Sequence, residues 1–445
     1  MRRLLLALWV LGALLPAPRA ARANGAFPDS FRVFVPDERP GEILLATNFG
    51  LISSADGGQA WQWVCEHDDG LFGSRYELGP GAAPRLYAVA PVGLALSDDG
   101  GCSWSRSPEL EGAQVRDLFA DQSVPGRLWV VAEKRGDAGL DTRAVYLSSD
   151  GGRTFGAPRY RADVNAEIQG IESARSDPGR IYLTVRYPGM ESRVEVVRSS
   201  DGGDSWTAFD VSAGVHKRPL LIAGVDPGDR ERIYFRVLDF PNEALAISVD
   251  GGQTLTVPLT IAKGMVTAFV RRADGSLLVG SLENGNMGGL YTSADGGLTF
   301  TRLPTTIRPR RLAERAGVLY AATDNTGAGD GFALATSTDG AAWQPLARYD
   351  DVGAIKACPG NVTATCTALC APLVMGGVFK PALCPQPDAG ADAGPASPGG
   401  RGCGCRIVTP TPAAAPLLLF APLLVLALLR TSARARRRGG EPPVG

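Results

Sequence analysis

With 44% apolar and 20% charged residues over 445 positions, the sequence has the composition of a globular protein and the length for one large or several ordinary domains. The formal net charge of −1 leaves no basic surplus for binding nucleic acid. Histidine occurs only at His67 and His216, which argues against a histidine-rich metal site, and nothing in the composition indicates a cofactor.

The N-terminus has the features of a secretory signal peptide. Two arginines precede an apolar run from residue 4 to residue 16, and Ala21-Arg22-Ala23 supplies a small-x-small cleavage pattern. The apolar run is too short to act as a membrane anchor. We therefore expect residues 1–23 to be removed and the mature chain to begin at Asn24, outside the cytoplasm.

From residue 30 to residue 350 the chain repeats one motif seven times: Ser, any residue, Asp, Gly, Gly, any residue, Ser or Thr, and an aromatic. The copies lie 43 to 51 residues apart, a period in which about four short strands fit. The first copy has Ala60 in place of the hydroxyl residue, the fifth has Leu255 in place of the aromatic, and the seventh is one residue short. The glycines permit the positive φ of a tight turn, and the Asp side chain can accept hydrogen bonds from its N–H groups.

We therefore predict a structural role for the seven motif aspartates. A calcium site is disfavoured because the twelve-residue loop with a terminal Glu is absent, so no metal ligand is assigned. The seven residues are Asp56, Asp99, Asp150, Asp201, Asp250, Asp295 and Asp339.

The residue types and the spacing of this motif resemble the Asp-box (BNR) repeat of sialidases, sortilin-type receptors, photosystem II assembly factors and some glucan hydrolases. The resemblance implies an all-β fold, a seven-bladed β-propeller of four-stranded blades over residues 24–350. In that family the motif lies in the turn between the third and fourth strands of a blade. Since the first blade has apolar runs for all four of its own strands, we expect the ring to close by packing, without a strand exchanged from the tail.

Propeller geometry divides the loops between two faces. Because the strands alternate in direction, the motif turns share one face, the motif face, with the turns between first and second strands. The opposite face, the loop face, carries the second-to-third-strand loops and the links between blades. Loops on a rigid scaffold often bind ligands, so we predict binding on the loop face. Its long polar loops are residues 133–143, 187–193, 239–243, 283–288 and 324–331.

No catalytic set can be assigned from the sequence. Resemblance to sialidases implies an Arg-Ile-Pro sequence before the first motif and six blades, but residues 31–36 read Phe-Arg-Val-Phe-Val-Pro and the motif count is seven. A glucan hydrolase needs two opposed carboxylates, and no pair can be chosen. The favoured interpretation is a non-catalytic binding or scaffold module for a protein, peptide or glycan; a glycoside hydrolase is the alternative. The loop-face carboxylates are Asp137, Asp141, Glu191, Asp239, Glu243, Glu283, Asp324 and Asp330.

Six cysteines are predicted to form disulfides. A compact module over residues 351–384 contains four of them: Cys358, Cys366, Cys370 and Cys384. In an exported protein these predict two disulfides within the module, with three connectivities open, whereas the spacing does not fit a paired Cys-x-x-Cys zinc site. Cys65 and Cys102 remain and would pair by elimination, although the outer strands of neighbouring blades splay apart.

The C-terminus consists of a linker and a tail. Residues 385–402 are rich in Pro, Gly, Ala and Asp and predict an extended linker. Cys403 and Cys405 follow, then an apolar segment at 413–429 that predicts a transmembrane helix, and an arginine cluster on its cytoplasmic side. Within this tail, residues 403–445, the stretch 403–438 resembles the MYXO-CTERM sorting signal of myxobacterial surface proteins. The resemblance implies cleavage by a sorting protease and display at the cell surface or outer membrane of a bacterium; a plain periplasm-facing tail anchor is the alternative.

Overall fold

A computed structural model of the protein describes most of the chain between residues 28 and 384. The predicted signal peptide, the linker, the Cys403 and Cys405 pair and the apolar segment at 413–429 lie outside the described residues. Among the described residues, no helix combines the length and apolar character needed to cross a membrane. The described ranges are 28–67, 75–81, 85–90, 93–135, 141–190, 192–326 and 329–384.

The described strands form seven antiparallel sheets, each with four strands that are consecutive in the chain. The innermost strands of these sheets contact one another in a closed ring, so the fold is a seven-bladed β-propeller, as predicted. Blade 1 contains β1 Ser30–Phe34, β2 Ile43–Thr47, β3 Gly50–Ser54 and β4 Trp61–Cys65. Blade 2 contains β5 Arg75–Leu78, β6 Leu86–Ala90, β7 Gly93–Ser97 and β8 Ser105–Arg106. Blade 3 contains β9 Gln114–Ala120, β10 Leu128–Arg135, β11 Asp141–Ser148 and β12 Tyr160–Arg161. Blade 4 contains β13 Glu167–Ala174, β14 Asp177–Tyr187, β15 Arg193–Ser199 and β16 Thr207–Asp210. Blade 5 contains β17 Leu220–Val225, β18 Ile233–Val237, β19 Ala244–Ser248 and β20 Thr256–Thr260. Blade 6 contains β21 Gly264–Arg271, β22 Leu277–Glu283, β23 Met287–Ser293 and β24 Thr301–Arg302. Blade 7 contains β25 Arg311–Arg315, β26 Val318–Ala322, β27 Leu334–Ser337 and β28 Gln344–Ala347.

The central strands of the blades are rich in buried apolar residues. Every residue of β2 and of β19 is buried, because a propeller blade packs against a neighbour on both of its faces. Outer strands are short and polar by comparison, and β8, β12 and β24 have only two residues each. The hydrophobic core therefore lies between blades, and its clusters join residues of adjacent sheets.

Each copy of the repeated motif forms the turn between the third and fourth strands of a blade. In blade 4, Asp201 Oδ1 accepts hydrogen bonds from the N–H groups of Asp204 and Ser205 at 3.0 and 2.9 Å. The Ser205 hydroxyl donates to Oδ2 at 2.5 Å, and the Ser199 hydroxyl donates to Oδ1 at 2.8 Å. These hydrogen bonds, led by that of Ser205, hold the pKa of the Asp201 carboxyl well below its usual range. The aspartate thus acts as the acceptor that closes the turn.

The same motif also joins neighbouring blades. Gly203 has φ 91°, and a Cβ at this position would lie 2.8 Å from the indole of Trp129 in blade 3. The corresponding glycine in the next blade, Gly252, would meet Val196 of blade 4 at 2.3 Å. A side chain is therefore excluded at this position both by the positive φ and by the close approach of the preceding blade.

We expect Ser199→Ala to lower the free energy of unfolding by about 1–3 kcal/mol. The Ser199 hydroxyl is buried and accepts the N–H of Gly203 at 2.8 Å, so its removal leaves that N–H without an acceptor. Asp201→Ala should also destabilise the fold, and neither change should affect binding on the loop face. Urea unfolding measures the effect, with the exposed Ser205→Ala as the control that costs less. Equal losses for the two serines would contradict this account of the turn.

The ring closes where blade 7 meets blade 1. As predicted, each blade contains four strands of its own, and β1 packs against β25 and β26. The sequence did not predict that β29, Val352–Ile355, adds a fifth strand to blade 1, parallel to its outer strand β4. Just before β29, the hydroxyl of the buried Tyr349 lies 2.8 Å from Ser30 Oγ in β1. The chain that leaves blade 7 therefore fastens blade 1 at both its inner and its outer edge.

The cysteine module is bonded to the propeller, which corrects the prediction of two disulfides within it. Cys65 pairs with Cys366, Cys102 pairs with Cys358, and only Cys370–Cys384 lies inside the module. The suggested Cys65–Cys102 pair does not form. Cys65 ends β4, beside which β29 runs, so the following helix α1, Val362–Met375, brings Cys366 against the outside of blade 1.

Further contacts hold the module over the junction of blades 1 and 2. Phe379 packs edge-on against Trp63 of β4, with ring centroids 5.1 Å apart. Lys356 Nζ donates hydrogen bonds to the carbonyl oxygens of Asp99 and Gly100, in the motif turn of blade 2, at 2.9 Å each. The module, residues 351–384, is thus attached to the outer side of blades 1 and 2, and we call it the clasp. None of its residues lines the central channel.

Candidate functional site

The loop face carries exposed apolar side chains on three consecutive blades. Met190 is fully exposed in the loop between β14 and β15, and Phe240 is 82% exposed in the loop between β18 and β19. Met287, 52% exposed, begins β23 in blade 6. These three residues lie in or next to three of the loops that the sequence predicted for binding. We call them the apolar arc.

Three of the loop-face carboxylates have a polar partner close by. Asp239 pairs with Arg218 at 2.9 Å, and Glu243 pairs with Arg236 at 2.7 Å. Glu283 accepts the hydroxyl of Ser281 at 2.7 Å. Each of these three carboxylates therefore forms an ion pair or a hydrogen bond with a residue of its own blade or of the link that leads into that blade.

The two candidates in blade 7 are also engaged locally. Asp324 accepts the N–H of Thr326 at 2.9 Å, and Asp330 accepts the N–H of Arg308 at 3.2 Å. Burial raises the pKa of Asp330. Asp137, Glu191 and the side chain of Asp141 lie outside the described residues.

A central channel of about 660 Å³ runs between the innermost strands, and all seven blades contribute to its wall. Turns between first and second strands line its rim, including Pro36, Gln122 and Pro227. These turns share a face with the motif turns, so the channel opens on the motif face. The sequence prediction placed binding on the loop face only and missed this cavity.

Ion pairs between blades hold the charged groups inside the channel. Arg32 of β1 pairs with Glu77 of β5 at 2.5 Å, and Arg75 of β5 pairs with Asp117 of β9 at 3.1 Å. Asp117 also accepts the N–H of Ile171 in β13 at 3.1 Å. Burial raises the pKa of both Glu77 and Asp117, even with an arginine beside each of them. These contacts connect blades 1 to 4 around the channel.

Glu172 and Arg311 are among the other charged residues that line the channel. Glu172 of β13 accepts the N–H of Val225 at 2.9 Å, and burial together with the carboxylates of Glu77 and Asp117 raises its pKa to about 7. Arg311 of β25 has an exposed side chain within the channel, and the nearby charge of Arg32 is the main cause that lowers its pKa to about 10, while Glu77 and Asp117 act in the opposite direction. The side chain of Arg311 forms no hydrogen bond or ion pair with a described residue, whereas its backbone pairs with Ala322 in the sheet.

The only sequence signal for these channel residues was the pattern of charges in the first strands. Arg75 and Glu77 alternate in β5, as expected for a strand with one side chain in every two turned toward water. Which charges would meet across blades could not be read from that pattern. The motif aspartates, by contrast, lie in the turns between third and fourth strands, on the motif face.

The fold and the channel define a seven-bladed β-propeller with an ion-paired central channel. No protein family matches the chain, and no curated protein matches it either. Among solved structures, it is similar to a GH74 enzyme of Niastella koreensis (15% identity, 71% of this chain and 65% of that chain covered, TM-score 0.39) and to YCF48 from Cyanidioschyzon merolae (17%, 69% and 92%, 0.44). It is also similar to the Hadza microbial sialidase Hz136 (13%, 67% and 71%, 0.40). These are likenesses of fold, between hydrolases and other propellers alike, and they assign no activity to this chain.

Proposed function

We propose that the chain is an exported, surface-anchored Asp-box propeller that acts as a non-catalytic binding or scaffold module, with its ligand on the loop face. The observation that carries the proposal is the apolar arc of Met190, Phe240 and Met287. Exposed apolar side chains grouped on one surface are typical of protein interaction sites. Within the range of protein, peptide or glycan, the arc favours a protein or peptide, since flexible Met and a large aromatic ring bind apolar side chains.

Replacing the apolar arc should abolish partner binding without unfolding the propeller. We expect Met190→Ser, Phe240→Ser and Met287→Ser together to remove cross-linked or co-purified partners from envelope extracts. A matched control exists on the motif face, where Val249→Ser and Leu298→Ser alter side chains that are 59% and 78% exposed. Loss of the partner in the control variant, or its retention in the arc variant, would reject the loop face as the binding surface.

The cellular address belongs to the same proposal. The signal peptide at 1–23, the linker at 385–402 and the tail at 403–445 support export followed by sorting at the cysteine pair. Mass spectrometry of C-terminal peptides from the membrane-associated protein should find no peptide that continues through Arg436. An intact peptide through that residue would leave a plain membrane anchor.

Glycoside hydrolysis is the second candidate, and one observation favours it. Glu172 has a pKa of about 7 inside a cavity that could hold a sugar unit, which is the protonation behaviour that a general acid needs. A panel of glycosides tested on the purified protein decides the matter. Turnover that Glu172→Gln abolishes would establish the enzyme and displace the binding module as the main function.

A further inference from the structure

The predicted tether of the propeller begins where the clasp ends. Cys384 is the last residue of the clasp, and the linker predicted from the sequence follows from residue 385. Cys384 is bonded to Cys370 in α1, so a pull on the linker reaches α1 through a covalent bond. The clasp is therefore the first part of the fold that receives tension from the tail.

Without further bonds, blade 7 would receive that tension next, because it precedes the clasp in the chain. Its four strands form a sheet of their own, and β1 is paired with β2 in a different sheet. The junction of blades 7 and 1 therefore depends on packing and on side-chain contacts, such as the hydrogen bond that Arg315 donates to the carbonyl oxygen of Glu42 at 2.8 Å. A pull on the end of β28 would make blade 7 the first blade to leave the ring.

Two more disulfides lead from the clasp past blade 7 into blades 1 and 2. Cys366 of α1 is bonded to Cys65, the last residue of β4, and both residues are buried. Cys358 is bonded to Cys102 in the motif turn of blade 2. The shortest covalent route from the linker to β1 therefore runs through the bridges at Cys370 and Cys366. This route omits residues 66–365, which include all of blades 2 to 7.

We propose that the clasp is a load-bearing attachment, which transfers tension from the tether to the outer strand of blade 1 and keeps it away from blade 7. The bridge between Cys102 and Cys358 is a second attachment, in blade 2. This role rests on the proposed surface anchoring, since only a tethered protein is pulled from its C-terminal end. The same bonds also retain a damaged propeller: after one cut between residues 66 and 365, both fragments remain joined through Cys65 and Cys366.

Single-molecule pulling of the unreduced full chain between Asn24 and Asp388 measures the covalent route. The force is set to unfold strands and to leave S–S bonds intact. Only residues 24–65, 366–370 and 384–388 can then extend, and we expect a final contour length of about 180 Å. If no bridge joined the clasp to the propeller, all seven blades would extend, to about 1,200 Å.

Two matched variants each remove one bridge between the clasp and the propeller. Cys65→Ser with Cys366→Ser moves the route to Cys102 and Cys358, and the contour length should nearly double, to about 330 Å. Cys102→Ser with Cys358→Ser leaves the shortest route in place and should give the length of the parent. The length of the parent alone decides the matter if a variant does not fold. A parent length near 1,200 Å, or equal lengths for the two variants, would overturn the proposal.

Retention after cleavage is tested on the purified, unreduced protein by a single tryptic cut in a loop between residues 66 and 365. We expect the cut parent to run at its full mass on a denaturing gel without reductant and to separate into two fragments after reduction. Fragments that separate without reductant would contradict the proposal. Neither measurement depends on the tail, so a failure here is distinct from a failure of the proposed anchoring, which the mass spectrometry of C-terminal peptides decides.

Discussion

Replacing Cys65 and Cys366 together by serine should lower the free energy of unfolding by about 3–5 kcal/mol. The bridge joins residues 301 positions apart, and even with Cys102–Cys358 in place it restricts the unfolded chain segments that lie between the two bridges. It also holds α1 against the outer strand of blade 1, where β29 completes the edge. Without the bridge, we expect the clasp to detach first and the junction of blades 7 and 1 to open before the rest of the ring.

Urea unfolding of the unreduced protein measures this effect. The matched control is Cys370→Ser with Cys384→Ser, which removes an equally buried pair that spans only 14 positions. Since the loop is far shorter, the control should lose less stability. Peptide mapping without reduction should recover Cys65 joined to Cys366 and Cys102 joined to Cys358. Bridges found only within residues 358–384 would contradict the clasp and restore the pairing predicted from sequence.

Glu172→Gln should stabilise the protein at pH 8 by roughly 2 kcal/mol and leave it unchanged at pH 4. The pKa of Glu172 rises from 4.5 when exposed to about 7 in the folded channel, so the folded state holds this proton more tightly than the unfolded state. Below pH 4.5 the Glu172 carboxyl is protonated in both the folded and the unfolded state, so it does not lower the free energy of unfolding. As the pH rises from 4.5 to 7, the unfolded state ionises first and stability is lost. Glutamine avoids this loss and keeps an oxygen to accept the N–H of Val225.

Thermal or urea unfolding at a series of pH values tests this expectation. Glu111→Gln, which changes an exposed glutamate at the surface, should give a difference that does not vary with pH in this way. The difference in free energy of unfolding between Glu172→Gln and the parent could instead be the same at pH 8 and pH 4. The Glu172 carboxyl would then ionise in the folded protein at little cost in free energy. The channel would then be more polar than its lining residues indicate.

The sequence alone determined the architecture because the determinants of a blade are local. A turn that needs paired glycines, an aspartate acceptor and a buried hydroxyl is specified within eight residues, and seven copies specify seven blades. Asp201 and its six counterparts could therefore be placed in the right turn of the right blade without coordinates. The loops of the apolar arc could also be located, since their position depends only on counting strands between motifs.

Tertiary structure decided everything that depends on which blades meet. Cys65 and Cys366 are far apart in the chain, and nothing near either one shows that β29 returns to pair with β4. The channel was hidden for the same reason: Arg311 and Arg32 belong to the last and first blades and face each other only because the ring closes. First strands carry charges because one of their sides faces this channel, but the partner of each charge is fixed by the neighbouring blade. Ion pairing between blades and the raised pKa of Glu172 are consequently properties of the closed ring, whereas the turns that build it are properties of the sequence.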